Sequence, residues 1–308
     1  MYFVLLLSLP CLLAAQPQGN TPEVGIGSAG KLSVRGSLSN GYYSARMFCL
    51  RTFQPDRLHR GRKARVPVNY NTAFEDSFNT LNRNVWRIGQ PWGRIHPGQI
   101  HEWYSDEAVT SDSGILQLRA FYKPAILHVN NHDTLVPFQV GLICSDISFS
   151  SHYGYFEIRS MNPSGPASWP AFWLAPAQGW PPEIDILEMY GKKDGSSIHR
   201  LTNSLHYGSI EAGNKSETIR GIRLPEDTDR RFYTYACLWQ PRSIRFYVNG
   251  YTVGKVRLSR DLAATMNQPM YLILNNALQG DYIKYLGNQP EPQVFRVDYV
   301  RVLAPGHM

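Results

Sequence analysis

The sequence has little cysteine, and none of it stands in a metal-binding or redox pattern. Its 308 residues include Cys11, Cys49, Cys144 and Cys237, and no two of them form a Cys-x-x-Cys pair. This spacing offers neither a zinc site nor a thioredoxin-like motif. Cys144 and Cys237 lie inside apolar runs, which predicts two buried free thiols, although a disulfide between them is an alternative.

An apolar run long enough to cross a membrane is also missing. The apolar stretch from Met1 to about Gln16 is shorter than the roughly 20 residues that a transmembrane helix needs. Ala14 and Ala15 are typical of a signal-peptide cleavage site, although the usual basic start is absent. We therefore expect residues 1–16 to be a signal peptide, and the protein to be secreted, periplasmic or held at the cell surface. The alternatives are a wrongly assigned start or a short core segment.

Most of the chain lacks an excess of charge of either sign. The net charge is +7, and residues 1–66 hold nine of the 31 Lys and Arg but two of the 24 Asp and Glu. That leaves 22 of each sign for residues 67–308, so a nucleic-acid partner is not expected. We interpret residues 17–66 as a basic, flexible N-terminal segment. A segment that holds an acidic glycan is the alternative.

Helical periodicity is scarce as well. Short apolar runs separated by Gly, Asn, Asp and Pro recur from Asn71 onwards, and hydrophobic residues make up 43% of the chain. This pattern is typical of β-strands, and the content suffices for a sizeable core. About fourteen strands at this spacing predict an all-β fold, in which two antiparallel sheets stack as a β-jelly-roll sandwich with a concave cleft.

Several local features of this fold can be predicted. Asn249-Gly250 is a strong hairpin-turn signal. Residues 259–265 favour a short helix, residues 140–149 favour one strand, and residues 123–138 favour a loop insertion or an irregular hairpin. The first strand, Phe74–Phe78, needs an edge partner, and we expect the last strand, Val297–Val302, to supply it.

An acidic strand is the most informative stretch of the sequence. Glu183, Asp185 and Glu188 are interleaved with Ile, Leu and Met after Pro181-Pro182. In a regular strand Glu183 and Asp185 would share a face and Glu188 would point away, but one β-bulge would bring all three together. Three adjacent carboxyl groups are costly in a core and useful in a wet cleft, where glycoside hydrolysis needs one protonated and one ionised carboxyl. An exposed strand edge with solvated acids is the alternative.

At these residues the chain resembles glycoside hydrolase family 16. The resemblance covers about residues 70–303, so residues 67–308 are interpreted as a catalytic domain of this type. Its motifs occur in family order: Trp169-Pro-Ala-Phe-Trp173, Glu183-Ile-Asp-Ile-Leu-Glu188, Phe246-Tyr-Val-Asn-Gly250, Pro269-Met-Tyr-Leu-Ile-Leu-Asn275 and Val297-Asp-Tyr-Val-Arg-Val302.

The resemblance implies a role for each acid. Glu183 would be the nucleophile, Glu188 the general acid/base, and Asp185 would hydrogen-bond Glu183. Two carboxyl groups on one face of a bulged strand suit a retaining mechanism, in which they lie about 5 Å apart.

Further polar and aromatic residues are candidates for substrate binding. Trp169 is implied by the family to line the sugar cleft, and His206 would bond the acid/base or a sugar hydroxyl unless it is a packed core histidine. Trp173 is a core residue or a cleft residue. The other candidates for sugar contacts are Trp103, Asn203, Asn276, Gln279 and Arg94; for Arg94 the alternative is a surface arginine without a role in binding.

Many relatives bind a structural calcium through acids of the first and last strands. Asp298 matches the acid of the last strand, but the usual Asp-Glu-Phe of the first is Asp76-Ser77-Phe78 here. Calcium is therefore doubtful, and retaining hydrolysis needs neither a metal nor an organic cofactor.

The residues and the resemblance together predict a secreted, endo-acting retaining β-glycosidase that acts as a monomer. A neutral catalytic domain favours a neutral β-1,3- or mixed β-1,3-1,4-glucan as the polysaccharide substrate. The alternative enzyme would hydrolyse an algal galactan such as agar, porphyran or carrageenan, and transglycosylation would use the same residues. A non-catalytic, lectin-like glycan-binding protein is the alternative of another class.

Overall fold

The computed structural model describes residues 66–306 except 97, 194–199, 210–212, 225–227 and 288–290. The predicted signal peptide and nearly all of the basic segment lie outside the described residues. Seventeen β-strands follow in order: β1 Tyr70–Asp76, β2 Arg87–Ile88, β3 Glu102–Tyr104, β4 Val109–Asp112, β5 Ile115–Val129, β6 His132–Val140, β7 Leu142–Cys144, β8 Gly154–Met161, β9 Ser168–Pro176, β10 Glu183–Glu188, β11 Arg200–Ser209, β12 Gly213–Arg223, β13 Tyr233–Gln240, β14 Ser243–Val248, β15 Tyr251–Arg257, β16 Met270–Leu278 and β17 Gln293–Pro305.

The strands form two sheets. The ten-stranded sheet has the order β15-β14-β13-β8-β17-β5-β6-β3, with β1 on β17 and β4 on β5, and the seven-stranded sheet has the order β12-β11-β10-β9-β16-β7-β2. The pairs are antiparallel apart from β3 and β6. The predicted sandwich is confirmed, and so is the pairing of the first and last strands, since Phe74 lies opposite Val302.

The main core fills the space between the two sheets. Phe156 and Ile158 of β8 face Phe172 and Leu174 of β9 there, and all four are fully buried. Alternation along each strand sends every second side chain into this core and leaves its neighbours for the opposite face. The outer face of the seven-stranded sheet is thereby free to carry polar groups.

The two described cysteines are buried free thiols, so the alternative of a disulfide between them is wrong. Cys237 lies in the main core, whereas Cys144 lies in a second apolar cluster on the other face of the seven-stranded sheet. Burial raises the pKa of both thiols, which keeps them protonated and unreactive.

The expected single strand over residues 140–149 is wrong. β6 ends at Val140, and β7 begins at Leu142 in the other sheet. Gly141 makes this crossing, and a Cβ there would lie 2.7 Å from the carbonyl oxygen of Ala108. A close backbone approach of this kind requires glycine, and it was not visible in the apolar pattern.

The segment over residues 123–138 is an irregular hairpin, one of the two predicted alternatives. β5 and β6 pair through Val129 and His132, with an irregularity between Tyr122 and Ala125. The part of the hairpin that contains Phe138 forms a wall with β3 on the outer face of the seven-stranded sheet. Tyr104 and Phe138 of this wall pack with residues of β16.

Two of the local predictions are confirmed. The β14–β15 turn places Asn249 at φ 47° and Gly250 at φ 77°, as a two-residue hairpin turn requires. Helix α1, Arg260–Thr265, begins after Ser259, whose side chain accepts a hydrogen bond from the Leu262 N–H. In the described part of the chain, no helix is both long and apolar enough to span a bilayer.

The two acids considered for calcium binding already have protein partners. Asp76 accepts from the Phe78 N–H at 2.8 Å and from Trp86 Nε1 at 2.7 Å. Asp298 forms an ion pair with Arg159, whose guanidinium also lies 4.8 Å from the centre of the Phe232 ring. A fixed guanidinium beside Asp298 disfavours a second cation there. These residues therefore do not fit a calcium ion.

Chelation of divalent cations should leave the thermal stability unchanged, because Arg159 supplies the positive charge at Asp298. Arg159→Ala should lower the free energy of unfolding by about 0.5–1 kcal/mol, since the pair is partly exposed. Thermal melts with EDTA, with added calcium and with this variant would check both expectations. A wild-type Tm that rises on addition of calcium would contradict them.

Candidate active site

A bulge in β10 brings the three acids to one face of the seven-stranded sheet. Glu183, Asp185 and Glu188 lie opposite His206, Ser204 and Thr202 of β11, with a register shift between Asp185 and Glu188. The three partners are two residues apart on β11, so they share a face, and the acids opposite them share it too. The predicted one-residue irregularity is confirmed.

Asn203 supports this bulge from the core side of the sheet. Its Nδ2 donates to the carbonyl oxygen of Ile186, inside the bulge, at 2.6 Å, and the residue is 1% exposed. The prediction that Asn203 binds substrate is therefore corrected to a structural role. Asn276 is also buried and donates to the carbonyl oxygens of Leu118 and Gln293.

The three carboxyl groups are crowded and largely removed from water. Asp185 is 2% exposed and Glu188 is 7% exposed. Burial is the largest cause that raises the pKa of each acid; the charge of Asp185 adds to this at Glu183, and the charge of Glu188 adds to it at Asp185. The pKa of Glu188 rises to about 7. Three negative charges therefore do not coexist here at neutral pH, and Glu188 is suited to carry a proton.

Glu183 is held by two groups besides the other acids. Trp180 Nε1 donates to Glu183 Oε2 at 2.7 Å, and this hydrogen bond favours the ionised carboxylate. His206 Nε2 lies 3.7 Å from Glu183 Oε1 and 3.2 Å from Asp185 Oδ2. His206 thus lies within the site, but it faces Glu183 and Asp185. One of the predictions for His206 was a hydrogen bond to the acid/base, Glu188.

Glu188 accepts two hydrogen bonds on one oxygen. Trp169 Nε1 lies 3.0 Å from Oε1, and the Tyr190 hydroxyl lies 2.8 Å from the same atom. Trp169 is therefore at the site, as the resemblance implied, and its contact with a sugar stays a prediction. Trp173 is half-buried on the same face, and its Nε1 donates to Asn275 Oδ1 at 2.8 Å.

The remaining predicted substrate residues lie along the wall or at its edge. Trp103 is in β3, and Gln279 follows β16, where the neighbouring Leu278 N–H donates to Glu102 Oε2 at 2.7 Å. Arg94 lines a cavity of about 350 Å³ at the β2 edge and bonds the Tyr104 carbonyl oxygen and Asp106. Contacts of these three residues with substrate stay predictions.

Sequence reasoning missed three residues of this region. Tyr190 could have been found, because it lies two positions after Glu188 and two-residue spacing keeps side chains on one face. Trp180 precedes two prolines in an irregular segment, where no periodicity predicts its direction. Glu102 is buried in β3, and burial raises its pKa to about 8.

One group of side chains in the described part of the chain could hold a metal ion. Glu183, Asp185 and His206 each offer a ligand atom, and these atoms lie within 4.8 Å of one another. Two of these three groups are carboxyls of the acidic strand, and cleavage of a glycosidic bond by two carboxyl groups requires no metal.

Comparisons with known proteins identify relatives of this chain. The family model described as "Beta-porphyranase A-D, GH16 domain" matches residues 69–304. The endo-1,3-1,4-beta-glycanase ExsH of Rhizobium meliloti (strain 1021) is 27% identical over 74% of this chain and 50% of its own length. A beta-glucanase of Rhodothermus marinus is 34% identical over 49% of this chain and 57% of its own.

Solved structures share the fold. The non-specific endo-beta-1,3(4)-glucanase SCLam, from family GH16, matches with a TM-score of 0.65 at 22% identity, over 80% of this chain and 95% of its own. The chain spans about half the length of the first two curated relatives that it matches, 50% and 46%.

The bulge predicts a stability effect that can be measured without a substrate. Asn203→Ala should lower the free energy of unfolding by about 1–3 kcal/mol, because it leaves the buried carbonyl oxygen of Ile186 without its donor. Denaturant unfolding would measure this loss. Asn276→Ala, which removes a similar buried amide elsewhere, is the matched control.

Hydrogen exchange separates the two variants. Asn203→Ala should speed exchange of the β10 and β11 amides relative to the other strands, whereas Asn276→Ala should not. Wild-type stability and wild-type exchange in Asn203→Ala would show that the bulge does not depend on this side chain.

Proposed function

The chain belongs to glycoside hydrolase family 16, and from this membership we propose that it hydrolyses a β-linked polysaccharide by an endo-acting, retaining mechanism. The observation that carries the proposal is the bulge, which gathers Glu183, Asp185 and Glu188 on one face of the seven-stranded sheet. The raised pKa of Glu188, about 7, supports its assignment as the proton donor. The hydrogen bond from Trp180 favours the ionised form of Glu183 that a nucleophile needs, and it acts against burial and the charge of Asp185, which raise the pKa of Glu183 well above its usual range.

The proposed reaction has two displacement steps. In the first, the Glu188 carboxyl protonates the glycosidic oxygen while the Glu183 carboxylate attacks the anomeric carbon, so the leaving sugar departs as an alcohol. In the second, the Glu188 carboxylate removes a proton from water, the resulting hydroxide equivalent attacks the same carbon, and the bond to Glu183 breaks. A sugar hydroxyl in place of water would give transglycosylation.

Asp185 and His206 act on Glu183 rather than on the sugar in this scheme. Asp185 hydrogen-bonds Glu183, and the imidazole of His206 lies beside both carboxyl groups. A proton shared among these three groups would let Glu183 lose and regain its negative charge between the two steps at little electrostatic cost.

A β-1,3- or mixed β-1,3-1,4-glucan is the proposed substrate. Two relatives support it, the endo-1,3-1,4-beta-glycanase of Rhizobium and the beta-glucanase of Rhodothermus, and so does the balanced charge of residues 67–308. An algal galactan is the second candidate, and the family model, which describes porphyranases, favours it.

A lectin-like protein without catalysis is the competing function. The complete set of three acids opposes it, since binding alone would not require crowded carboxyl groups whose burial is costly. We further propose that the protein works outside the cytoplasm as a monomer without an organic cofactor or a catalytic metal.

Glu183→Gln should abolish turnover, with kcat reduced by at least about 10⁴-fold, and should leave glycan binding in place, because the amide keeps the shape and loses the nucleophile. Reducing-sugar release from a panel of β-glucans and galactans, with calorimetric binding of the same glycans, would check this. Glu107→Gln, on an exposed side chain paired with Lys123, is the control and should keep wild-type activity. Near-normal turnover by Glu183→Gln would refute the assignment.

The pH dependence should follow the proton on Glu188. Because the acid form is needed in the first step and its pKa is about 7, kcat/KM should fall about tenfold per pH unit above that value. A pH–rate profile on the best substrate of the panel would measure this limb. A rate that stays constant up to pH 9 would contradict the role of Glu188 as proton donor.

A further inference from the structure

Tyr190 and Trp169 donate their hydrogen bonds to the same one of the two carboxyl oxygens of Glu188. Both donors point to Oε1, the hydroxyl of Tyr190 at 2.8 Å and Nε1 of Trp169 at 3.0 Å. The two rings lie against each other, with centroids 5.5 Å apart. Among the described residues, no hydrogen-bond donor to Oε2 is found.

The backbone fixes Tyr190 beside Trp169. Beyond the end of β10, the Met189 N–H donates to the Pro170 carbonyl oxygen at 3.3 Å, and the Gly191 N–H donates to the Ser168 carbonyl oxygen at 2.7 Å. Residues 189–191 therefore continue to follow β9, and Tyr190 falls on the face that carries Glu188 and Trp169.

Two neighbours of Tyr190 hold this backbone path. Met189 is fully buried and accepts a hydrogen bond on its sulfur from Asn162 Nδ2 at 3.2 Å. A Cβ at position 191 would lie 2.1 Å from the Gly165 carbonyl oxygen, so only glycine permits the close approach. The backbone on both sides of Tyr190 is thus held by close contacts.

Two hydrogen-bond donors at one oxygen of a carboxylic acid determine which of its two oxygens carries the proton. A protonated carboxyl has one O–H group, and its other oxygen is the better hydrogen-bond acceptor. An N–H and an O–H that both point to Oε1 stabilise the form in which Oε1 is the carbonyl oxygen and Oε2 carries the hydrogen.

We propose that Tyr190, together with Trp169, is a positioning residue that confines the exchangeable proton of Glu188 to Oε2. This inference rests on the proposed hydrolase function. Oε2 then delivers the proton to the glycosidic oxygen in the first step and receives the proton of water in the second. Oε1 keeps its two hydrogen bonds throughout, so the carboxyl does not need to rotate between the steps.

The two donors also act on the acidity of Glu188. They favour its ionised form and partly offset the burial and the charge of Glu183, which both raise the pKa. The other titratable groups near the site are Asp185 on β10 and His206 on β11, and neither is changed when Tyr190 is replaced. Loss of one donor should therefore raise the pKa of Glu188 further.

The test is Tyr190→Phe, which keeps the ring against Trp169 and removes the hydroxyl. On the polysaccharide, kcat/KM should fall about tenfold to a hundredfold, part of the roughly 10²–10⁴ that general acid–base catalysis contributes. On an aryl glycoside with an acidic phenol as leaving group, which departs without a proton, kcat/KM should stay close to wild type. The basic limb of the pH–rate profile should move to higher pH.

Two further variants complete the design. Trp169→Phe removes the other donor and should have the same three effects: a lower kcat/KM on the polysaccharide, little change on the aryl glycoside, and a basic limb at higher pH. It therefore decides the question if Tyr190→Phe does not fold. Tyr153→Phe removes a hydroxyl that bonds Asn267 at 2.8 Å on the surface, and it should leave the kinetics unchanged.

The outcomes separate this inference from the function on which it rests. A wild type that cleaves no glycan in the panel overturns both. If the wild type is active, two results overturn the inference alone. In the first, Tyr190→Phe lowers kcat/KM by the same factor on both substrates and the basic limb does not shift. In the second, kcat/KM is unchanged on both substrates.

Discussion

One extra residue between Asp185 and Glu188 is the constraint on which the site depends. Without it Glu188 would point into the core, where Leu187 and Ile186 now lie, and only Glu183 and Asp185 would remain on the face proposed to meet a substrate. The sheet stabilises the irregularity by giving the carbonyl oxygen of Ile186 a buried amide partner in Asn203. A structural asparagine in the core thereby helps to place Glu188, the proposed acid/base, on the opposite face.

The crowding of the acids is the second constraint, and the groups that surround the acids differ from one carboxyl to the next. Burial and mutual repulsion favour protonation of all three groups. The neighbours then differ: an indole N–H and an imidazole lie at Glu183, and a second indole and a phenol lie at Glu188. Each carboxyl therefore has its own set of donors, so the two can differ in charge at one pH.

Much of the fold could be predicted from the sequence because strands leave a local signal. The first and last strands pair as predicted, and Asn249-Gly250 forms the predicted turn. The switch between sheets at Gly141 and the parallel pairing of β3 could not be predicted, because both depend on contacts with distant residues.

The acidic triplet was also predictable, since its spacing implies the bulge. The direction of His206, the structural role of Asn203 and the donors Trp180 and Tyr190 were not predicted. Of these, Tyr190 alone had a usable signal in its spacing from Glu188. The others depend on how β11 and the segment before β10 fold against the acids.

The stereochemistry of cleavage tests the central claim most directly, since two carboxyl groups close together on one face produce retention. Proton NMR spectra recorded during the first minutes of hydrolysis would show which anomer of the new reducing end forms before mutarotation. The account predicts the β anomer first. The α anomer first would mean a single displacement by water, and would contradict the assignment of Glu183 as the nucleophile.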